Sequence, residues 1–367
     1  MKRYLTRQGI WVLILTLFIV NFADAGSKRR RGTSGAQELL IPVGARTSAL
    51  VGSNMASING LEAVEWNMAG LAAIDGNGEA MFTHLNWLAD IGISYFGVAS
   101  SFGDRNTFGV TLKSLDFGKI PVTTELAPDG TGEYYSPNFI TLGFLYARRM
   151  TDRILIGTSI KLITESVMNL SARGAVIDAG VQYHTSMNGL KIGVSLRNLG
   201  LNMEFTGSDL EEYHSPSSSE PGTPAEPRRI PLQSFEMPTT LELGASYGPI
   251  DFGQVKLLLS TSFLNNNFSF DEYRAGTELS FMGILYLRGG FAMGYDPQPY
   301  GLDFEQDTGD EADDEQFEYS TDEFIWGPAF GFGLDLSKVM GYNIMIDYAY
   351  RSVEYFETNL LTLKVAF

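Results

Sequence analysis

The C-terminal stretch carries the pattern that decides the fold. Residues 341–367 read GYNIMIDYAYRSVEYFETNLLTLKVAF. Apolar and polar side chains alternate in both halves, so that Ile344 and Ile346 share one face of the first half and Leu361 and Leu363 share one face of the second. A period of two over roughly eight to ten residues predicts β-strands with one apolar face, because successive side chains in a strand point to opposite sides.

The same alternation recurs along most of the chain, from residue 79 onward. It predicts an all-β fold, a transmembrane antiparallel β-barrel, since single-chain bacterial outer-membrane barrels are built from an even number of short amphipathic strands. Fourteen segments fit the pattern, at about 79–87, 91–102, 106–115, 137–150, 153–168, 173–184, 190–199, 238–247, 254–263, 268–281, 284–293, 325–336, 341–350 and 358–367.

The lengths of the links between these strands test the barrel independently. In an outer-membrane barrel the periplasmic turns are short and the outer loops are longer, so long links should follow only odd-numbered strands. The three long links, about 116–136, 200–237 and 294–324, follow strands 3, 7 and 11. This parity predicts that both chain ends lie in the periplasm, and a soluble β-sandwich gives no reason for it.

The polar faces of the strands carry charges of both signs. A soluble sandwich turns its polar faces to water, whereas a membrane barrel turns its apolar faces to lipid and its polar faces to the lumen. The apolar faces are nearly free of charge, which favours the barrel, because a mid-depth Lys or Arg on the lipid face costs roughly 2–4 kcal/mol. The predicted lumen-facing charges are Lys113, Lys161, Asp178, Lys191, Arg197, Glu242, Lys256, Glu278, Arg288, Asp347 and Lys364.

Aromatic residues near strand ends are typical of the girdles where a barrel meets the two membrane interfaces. Phe367 ends the last alternating strand and resembles the C-terminal signal that outer-membrane barrels present to the barrel assembly machinery. The predicted girdle residues are Trp87, Tyr146, Tyr183, Tyr247, Trp326, Tyr342 and Tyr350.

Composition excludes several classes of protein. The chain has 367 residues, no cysteine and three histidines, so it holds no disulfide, thiolate zinc site, iron–sulfur cluster or cysteine nucleophile. Its formal net charge of −17 argues against a nucleic-acid binder, because phosphate neutralisation needs an excess of Lys and Arg. No stretch after residue 25 is long and apolar enough for a transmembrane helix.

Residues 1–25 have the make-up of a secretory signal peptide. Lys2 and Arg3 precede an apolar run over residues 10–20, and Ala23-Asp24-Ala25 follows as a small-x-small cleavage site. The apolar run is shorter than the roughly 20 residues of a spanning helix, which disfavours the alternative of an uncleaved anchor. The mature protein is therefore expected to leave the cytoplasm and to reside in the cell outer membrane.

Residues 26–78 differ in character from the strands. Ala and Gly are frequent and the apolar residues follow no single period, so we expect short helices and tight turns. The segment is too small for a robust separate domain. We predict that it folds into the lumen as an N-terminal hatch, with residues 79–367 forming the barrel. A periplasmic tail is the alternative, but a disordered tail would contain fewer apolar residues.

Two stretches of this segment carry a family resemblance. Gly35–Arg46 (GAQELLIPVGAR) and Gly60–Leu71 (GLEAVEWNMAGL) resemble the N-terminal signature of the PorV/PorQ family, which belongs to the wider FadL-like outer-membrane barrels. The stretches at 83–90, 146–153 and 196–200 are similar too. The resemblance covers most of the mature chain and implies a fourteen-stranded barrel with an N-terminal hatch.

The hatch motif of that family usually reads Asn-Pro-Ala. In this chain Asn67, Met68 and Ala69 stand at its positions, so Met68 replaces the proline. A turn geometry or gating role that depends on the proline ring is therefore not implied here, although the flanking residues are retained.

By resemblance, two functions compete. PorV-like proteins act in type IX protein secretion as outer-membrane partners of the translocon and of cargo being anchored, whereas FadL-like proteins pass hydrophobic small molecules through the hatch and a lateral opening. We favour the first role and keep hydrophobic uptake and a purely structural role as alternatives. The mixed-charge lumen argues against a wide general porin. The expected partners are outer-membrane lipid, lipopolysaccharide, and either a secretion translocon with its cargo or a hydrophobic small molecule.

The remaining chemical candidates are weak. Residues 303–323 contain eleven acidic residues and no basic one, but their spacing does not match an EF-hand, so a solvated loop bridged to lipopolysaccharide by divalent ions is favoured over a calcium site. His84, His184 and His214 fall in different parts of the predicted topology and cannot share one site. We therefore predict no catalytic site, no metal site and no cofactor, and hence no enzyme.

Overall fold

The computed structural model describes residues 30, 32–74, 76–187, 189–214, 226–295, 326–337, 341, 343–353 and 357–367. The signal peptide predicted at 1–25, the acidic loop predicted at 303–323 and Tyr342 lie outside these residues. In the part of the chain that is described, no helix is long and apolar enough to cross a membrane.

Fourteen antiparallel strands form one closed barrel. Each strand pairs with the next along the chain, and the last pairs with the first, so that the sheet closes on itself. The predicted fold class, an antiparallel β-barrel of about 14 strands, is confirmed. The strands are β1 Gly78–Asn86, β2 Gly92–Phe102, β3 Asn106–Asp116, β4 Asn138–Arg149, β5 Ile154–Val167, β6 Leu170–His184, β7 Leu190–Gly200, β8 Thr240–Asp251, β9 Val255–Asn266, β10 Asp271–Phe281, β11 Leu285–Tyr295, β12 Trp326–Asp335, β13 Ile344–Val353 and β14 Glu357–Ala366.

The barrel closes between β1 and β14. Their register runs from Glu79 opposite Ala366 to Asn86 opposite Asn359 without a shift. The carbonyl oxygen of Phe367 extends this seam by accepting the backbone N–H groups of residues 77 and 78 at 2.8 and 2.9 Å. Closure satisfies the backbone groups within the sheet, which is the condition for strands to lie in a hydrocarbon environment.

The two ends of the barrel differ in the length of their links. At one end the links are short, for example 103–105, 150–153 and 282–284, and we call this the short-turn end. The strands that flank the links 117–137, 201–239 and 296–325 have the ends joined by these links on the opposite side of the barrel, which we call the long-loop end. Two of these loops contain small antiparallel ribbons, Ile120–Pro121 with Tyr134–Tyr135 and Glu211–His214 with Glu226–Arg229.

The polarity of the barrel is the reverse of a soluble sandwich. Outward-facing Phe96, Phe144 and Ile160 are each about half exposed, with relative exposures of 48%, 48% and 49%. Inward-facing Lys113 on β3 and Lys161 on β5 are buried, each at 2% exposure. An apolar outside and a polar inside suit a wall between lipid and a filled lumen.

The outward face gives a direct test of membrane residence. Phe144→Arg places a charge at mid-strand on β4, and we expect it to lower the free energy of unfolding in a bilayer by about 2–4 kcal/mol. Phe102→Arg is the matched control, because Phe102 lies at the short-turn end of β2, where the interface should reduce the loss to about 0–1 kcal/mol. Urea titration of vesicle-inserted protein, followed by heat-modifiable electrophoretic mobility, measures both. Equal losses for the two variants would contradict a lipid-facing wall.

Candidate functional site

Residues 34–74, here called the lumenal segment, lie inside the barrel. Short helical turns at Gln37–Leu40, Ala45–Ala49, Leu61–Glu65 and Met68–Ala73 make up much of the segment. Between residues 43 and 72 every side chain is buried except those of Arg46, Ser57 and Asn59, which are half-buried. A stretch of this length that is buried almost throughout is filling space enclosed by the wall.

Glycines in the wall make room for the lumenal segment. A Cβ atom on any of them would overlap atoms of residues 49–69, so that only hydrogen fits at these positions. Each of these glycines faces inward on a different strand, and together they form an arc along the wall between β5 and β12 that we call the glycine belt. Its members are Gly157, Gly180, Gly193, Gly244, Gly276, Gly290 and Gly331.

The residues of the predicted hatch motif lie against this belt. The Asn67 side-chain oxygen accepts the N–H of Ala69 at 3.1 Å and caps the helical turn that begins at Met68. Its Nδ2 donates to the carbonyl oxygen of Val181 on β6 at 3.2 Å. Met68 occupies the first position of the turn, where an N–H has no helical partner, so either methionine or proline is compatible with this backbone.

Glu65 of the lumenal segment joins two lysines of the wall. Lys113 Nζ and Lys161 Nζ each lie 3.6 Å from a carboxylate oxygen of Glu65, and Lys161 also binds Asp178 at 2.9 Å. Burial alone would raise the pKa of Glu65, but the charges of Lys161 and Lys113 outweigh it and hold that pKa below its ordinary value. The ionised carboxylate is thus the form that the lumen stabilises.

A second network lies nearer the short-turn end. Arg46 of the lumenal segment binds Glu278 at 2.8 Å, and Glu278 also binds Arg288 at 2.7 Å. The chain of pairs continues from Arg288 to Asp347 at 2.5 Å and from Lys364 to Glu62 of the lumenal segment at 3.2 Å. Wall and segment therefore neutralise each other here as well.

A third network lies toward the long-loop end. Arg197 and Arg274 bind the two carboxylate oxygens of Glu242 at 3.3 and 3.4 Å, and Arg274 also binds Glu272 at 2.8 Å. Arg197 further donates to the carbonyl oxygen of Glu65 at 2.5 Å. Two predicted lumen-facing residues join none of these networks: Lys191 is half-buried and Lys256 is exposed at the short-turn end.

A cavity of about 510 Å³ lies on the long-loop side of the lumenal segment. Its floor is charged, with Arg197, Arg274 and Glu272, whereas much of its wall is apolar. The apolar and aromatic residues that line it are Leu39, Leu40, Ile41, Pro42, Trp66, Trp87, Leu264, Phe268 and Trp326. A concave, largely apolar pocket with a few convergent polar groups is the usual form of a small-molecule site.

Trp87 and Trp326 correct the predicted girdle. Both line this cavity and their rings lie 5.5 Å apart, so they do not face the lipid interface. Trp87 follows the last residue of β1 and Trp326 begins β12, and alternation does not extend to residues at strand ends. Together with Trp66, they account for every tryptophan after residue 25.

A second cavity of about 460 Å³ lies on the short-turn side. It is more polar, and Arg46, Asn59, Glu79, Asp335 and Lys364 are among the residues that line it. The lumenal segment lines both cavities and lies between them, with the largely apolar cavity on its long-loop side and the polar cavity on its short-turn side.

The three histidines lie in separate parts of the structure. His84 points outward from β1, His184 ends β6 at the short-turn end, and His214 ends a ribbon in a long loop. Among the described residues, no group of His, Asp or Glu has the arrangement of a metal site.

Three solved structures that are similar to this chain cover most of its length. The CymD monoaromatic hydrocarbon channel matches with a TM-score of 0.52 at 12% identity, over 89% of this chain and 98% of that chain. A Pseudomonas aeruginosa FadL homologue matches with a TM-score of 0.49 at 10% identity, over 88% and 97%. The Pseudomonas putida toluene transporter TodX matches with a TM-score of 0.48 at 15% identity, over 88% and 96%.

Comparison of the sequence with known proteins does not assign the chain to a family. No protein-family model matches the chain, and no curated protein matches its sequence. The PorV/PorQ resemblance thus has no support in these comparisons, whereas the match to CymD shows that the chain shares the β-barrel fold of that channel.

The glycine belt can be tested by adding side chains to it. Gly180→Val puts methyl groups where the Asn67 side chain lies, so we expect the lumenal segment to be displaced from the wall. Gly289→Val is the matched control, because a Cβ there approaches other atoms only to 3.8 Å. Trypsin cleavage after Arg46, the only lysine or arginine between positions 32 and 104, reports displacement in protein that remains heat-modifiable. Equal protection of Arg46 in both folded variants would contradict the fit that we describe.

Proposed function

We propose that this protein is an outer-membrane channel for hydrophobic small molecules in which the lumenal segment acts as a hatch. The observation that carries the proposal is the apolar cavity at the long-loop end, closed below by the lumenal segment. A pocket of about 510 Å³ falls within the range of small-molecule sites and is too confined for a folded protein. The barrel fold shared with CymD, a monoaromatic hydrocarbon channel, supports the same class of ligand.

The first step is capture from outside. In this proposal the long-loop end faces outward and the short-turn end, with both chain ends, faces the periplasm. Leu264, Phe268 and the three tryptophans offer apolar surface to a ligand that leaves water. Burying such surface stabilises the bound ligand by roughly 25 cal/mol per Å² of apolar area removed from water.

The second step is passage beyond the lumenal segment. The segment is held by charge pairs with the wall and by close contact at the glycine belt. A ligand that competes for the space around Trp66 would favour a displaced arrangement of the segment, since it binds that arrangement better. The polar cavity on the short-turn side would then receive the ligand.

This proposal gives separate roles to the two parts of the chain. Residues 26–78 form the hatch and residues 79–367 form the barrel wall. The predicted lumen-facing lysines Lys113, Lys161 and Lys364 pair with glutamates of the segment and hold the hatch in register instead of binding substrate. Phe367 remains a predicted assembly signal.

An export role of the PorV type remains a prediction from resemblance. It requires a docking surface for a translocon or for anchored cargo, and the described residues offer no feature that is specific to either. The two roles differ in what a deletion strain loses, so one experiment can separate them.

Deleting the gene should reduce uptake of a monoaromatic hydrocarbon such as toluene and leave surface-protein export unchanged. Plasmid-borne wild type should restore uptake. Ser269→Phe should not, because Ser269 lines the cavity and the added ring would fill it. Ser136→Phe, on an exposed loop residue, is the matched control and should restore uptake fully. Normal uptake with lost export in the deletion strain would instead support the secretion role and overturn our proposal.

A further inference from the structure

Arg351 is a buried cation that the networks described above leave out. It lies near the long-loop end of β13, faces inward and is 8% exposed. It lines the apolar cavity, and its guanidinium carbon lies 4.3 Å from the centroid of the Trp326 ring. The tryptophan covers one face of the guanidinium and leaves its edge for other partners.

No carboxylate among the described residues pairs with Arg351. The neighbouring acids are already engaged, since Glu242 binds Arg197 and Arg274, and Glu272 binds Arg274. Among the described residues that line the cavity there are three arginines, Arg197, Arg274 and Arg351. Two glutamates line it, Glu65 and Glu272, and each pairs with a residue other than Arg351. Among the described residues, Arg351 Nε is buried and has no hydrogen-bond partner. An unpaired buried charge is costly to a folded protein, so its retention next to a cavity points to a ligand that supplies the missing anion.

The rest of the cavity defines the body of that ligand. Trp66, Trp87 and Trp326 contribute broad aromatic faces, and Phe268 adds a fourth ring. Aromatic rings prefer offset or edge-to-face contacts with one another, which a flat ligand can make with several of these side chains. The cavity is thus apolar over most of its surface and carries one surplus positive charge at its side.

We propose that the cavity selects an aromatic monocarboxylate over a neutral hydrocarbon, with the carboxylate on the edge of Arg351 and the ring among the tryptophans. This inference rests on the proposed function and names its substrate class. A guanidinium edge offers two parallel N–H donors that match the two oxygens of a carboxylate. The apolar surroundings strengthen that pair because water is excluded from it.

Three probes with the same phenyl body separate charge from hydrophobicity: phenylacetate, phenylethanol and phenethylammonium. Binding is followed by the emission of Trp66, Trp87 and Trp326, all of which line this cavity. We expect detergent-solubilised wild type to bind phenylacetate at least about tenfold more tightly than phenylethanol, since a charged hydrogen bond contributes about 1.5–3 kcal/mol. Phenethylammonium should bind least tightly.

Variants at Arg351 test whether this side chain causes the preference for phenylacetate over phenylethanol. Arg351→Gln should bring phenylacetate down to the affinity of phenylethanol, and Arg351→Lys should retain part of the preference because it keeps the charge but not the two-pronged edge. Arg173→Gln is the matched control, since Arg173 is exposed outside the cavity and its loss should change nothing. Heat-modifiable mobility confirms that each variant is folded.

The possible results distinguish the carboxylate inference from the channel proposal on which it rests. Equal affinity of wild type for phenylacetate and phenylethanol, or an unchanged preference in folded Arg351→Gln, overturns the carboxylate inference and leaves the channel proposal standing. No change in emission with any of the three probes overturns both, because the cavity would then bind no small aromatic ligand.

Discussion

The rest of the structure depends on the pairing of charges inside the lumen. A fourteen-strand wall encloses more space than its own side chains fill, and its inward faces carry lysines and arginines whose burial is costly without a partner of opposite charge. Glu65, which bridges Lys113 and Lys161, and Arg46, which binds Glu278, supply the opposite charges from the lumenal segment. The segment therefore supplies charges that neutralise those of the wall, and the wall buries the side chains of the segment.

The same pairing explains why the lumen is divided. The segment is held at the level of the glycine belt, where the wall approaches it most closely, and space remains on either side. The tryptophans line the cavity on the long-loop side, and polar groups line the cavity on the short-turn side. A ligand that crosses the barrel would thus move from apolar surroundings to polar ones, and the segment is the barrier between them.

The strands could be predicted from the sequence because lipid and lumen impose opposite demands on neighbouring residues. The alternation of apolar and polar residues does not fix where a strand begins or ends. The segment predicted at 341–350 is observed as Ile344–Val353, so Arg351 fell outside the predicted strand and was not recognised as lumen-facing.

Partners that are far apart in the sequence were also beyond prediction. Nothing in the alternation pairs Glu65 with Lys161, or Asn67 with Gly180, because these contacts arise from the way the segment enters the barrel. The inward glycines of neighbouring strands were the available signal, since a residue without a side chain at the centre of a strand marks a close approach.

Movement of the lumenal segment is the central claim, and a reversible tether tests it most directly. Ser53 Oγ of the segment lies 2.8 Å from Ser260 Oγ of β9, and the chain has no cysteine, so Ser53→Cys with Ser260→Cys introduces the only possible disulfide. The measurement is hydrocarbon uptake into proteoliposomes that contain the double variant, before and after reduction. We expect the oxidised protein to take up no hydrocarbon, and we expect reduction to restore uptake to the level of either single variant. Equal uptake by the oxidised and reduced forms would contradict the claim.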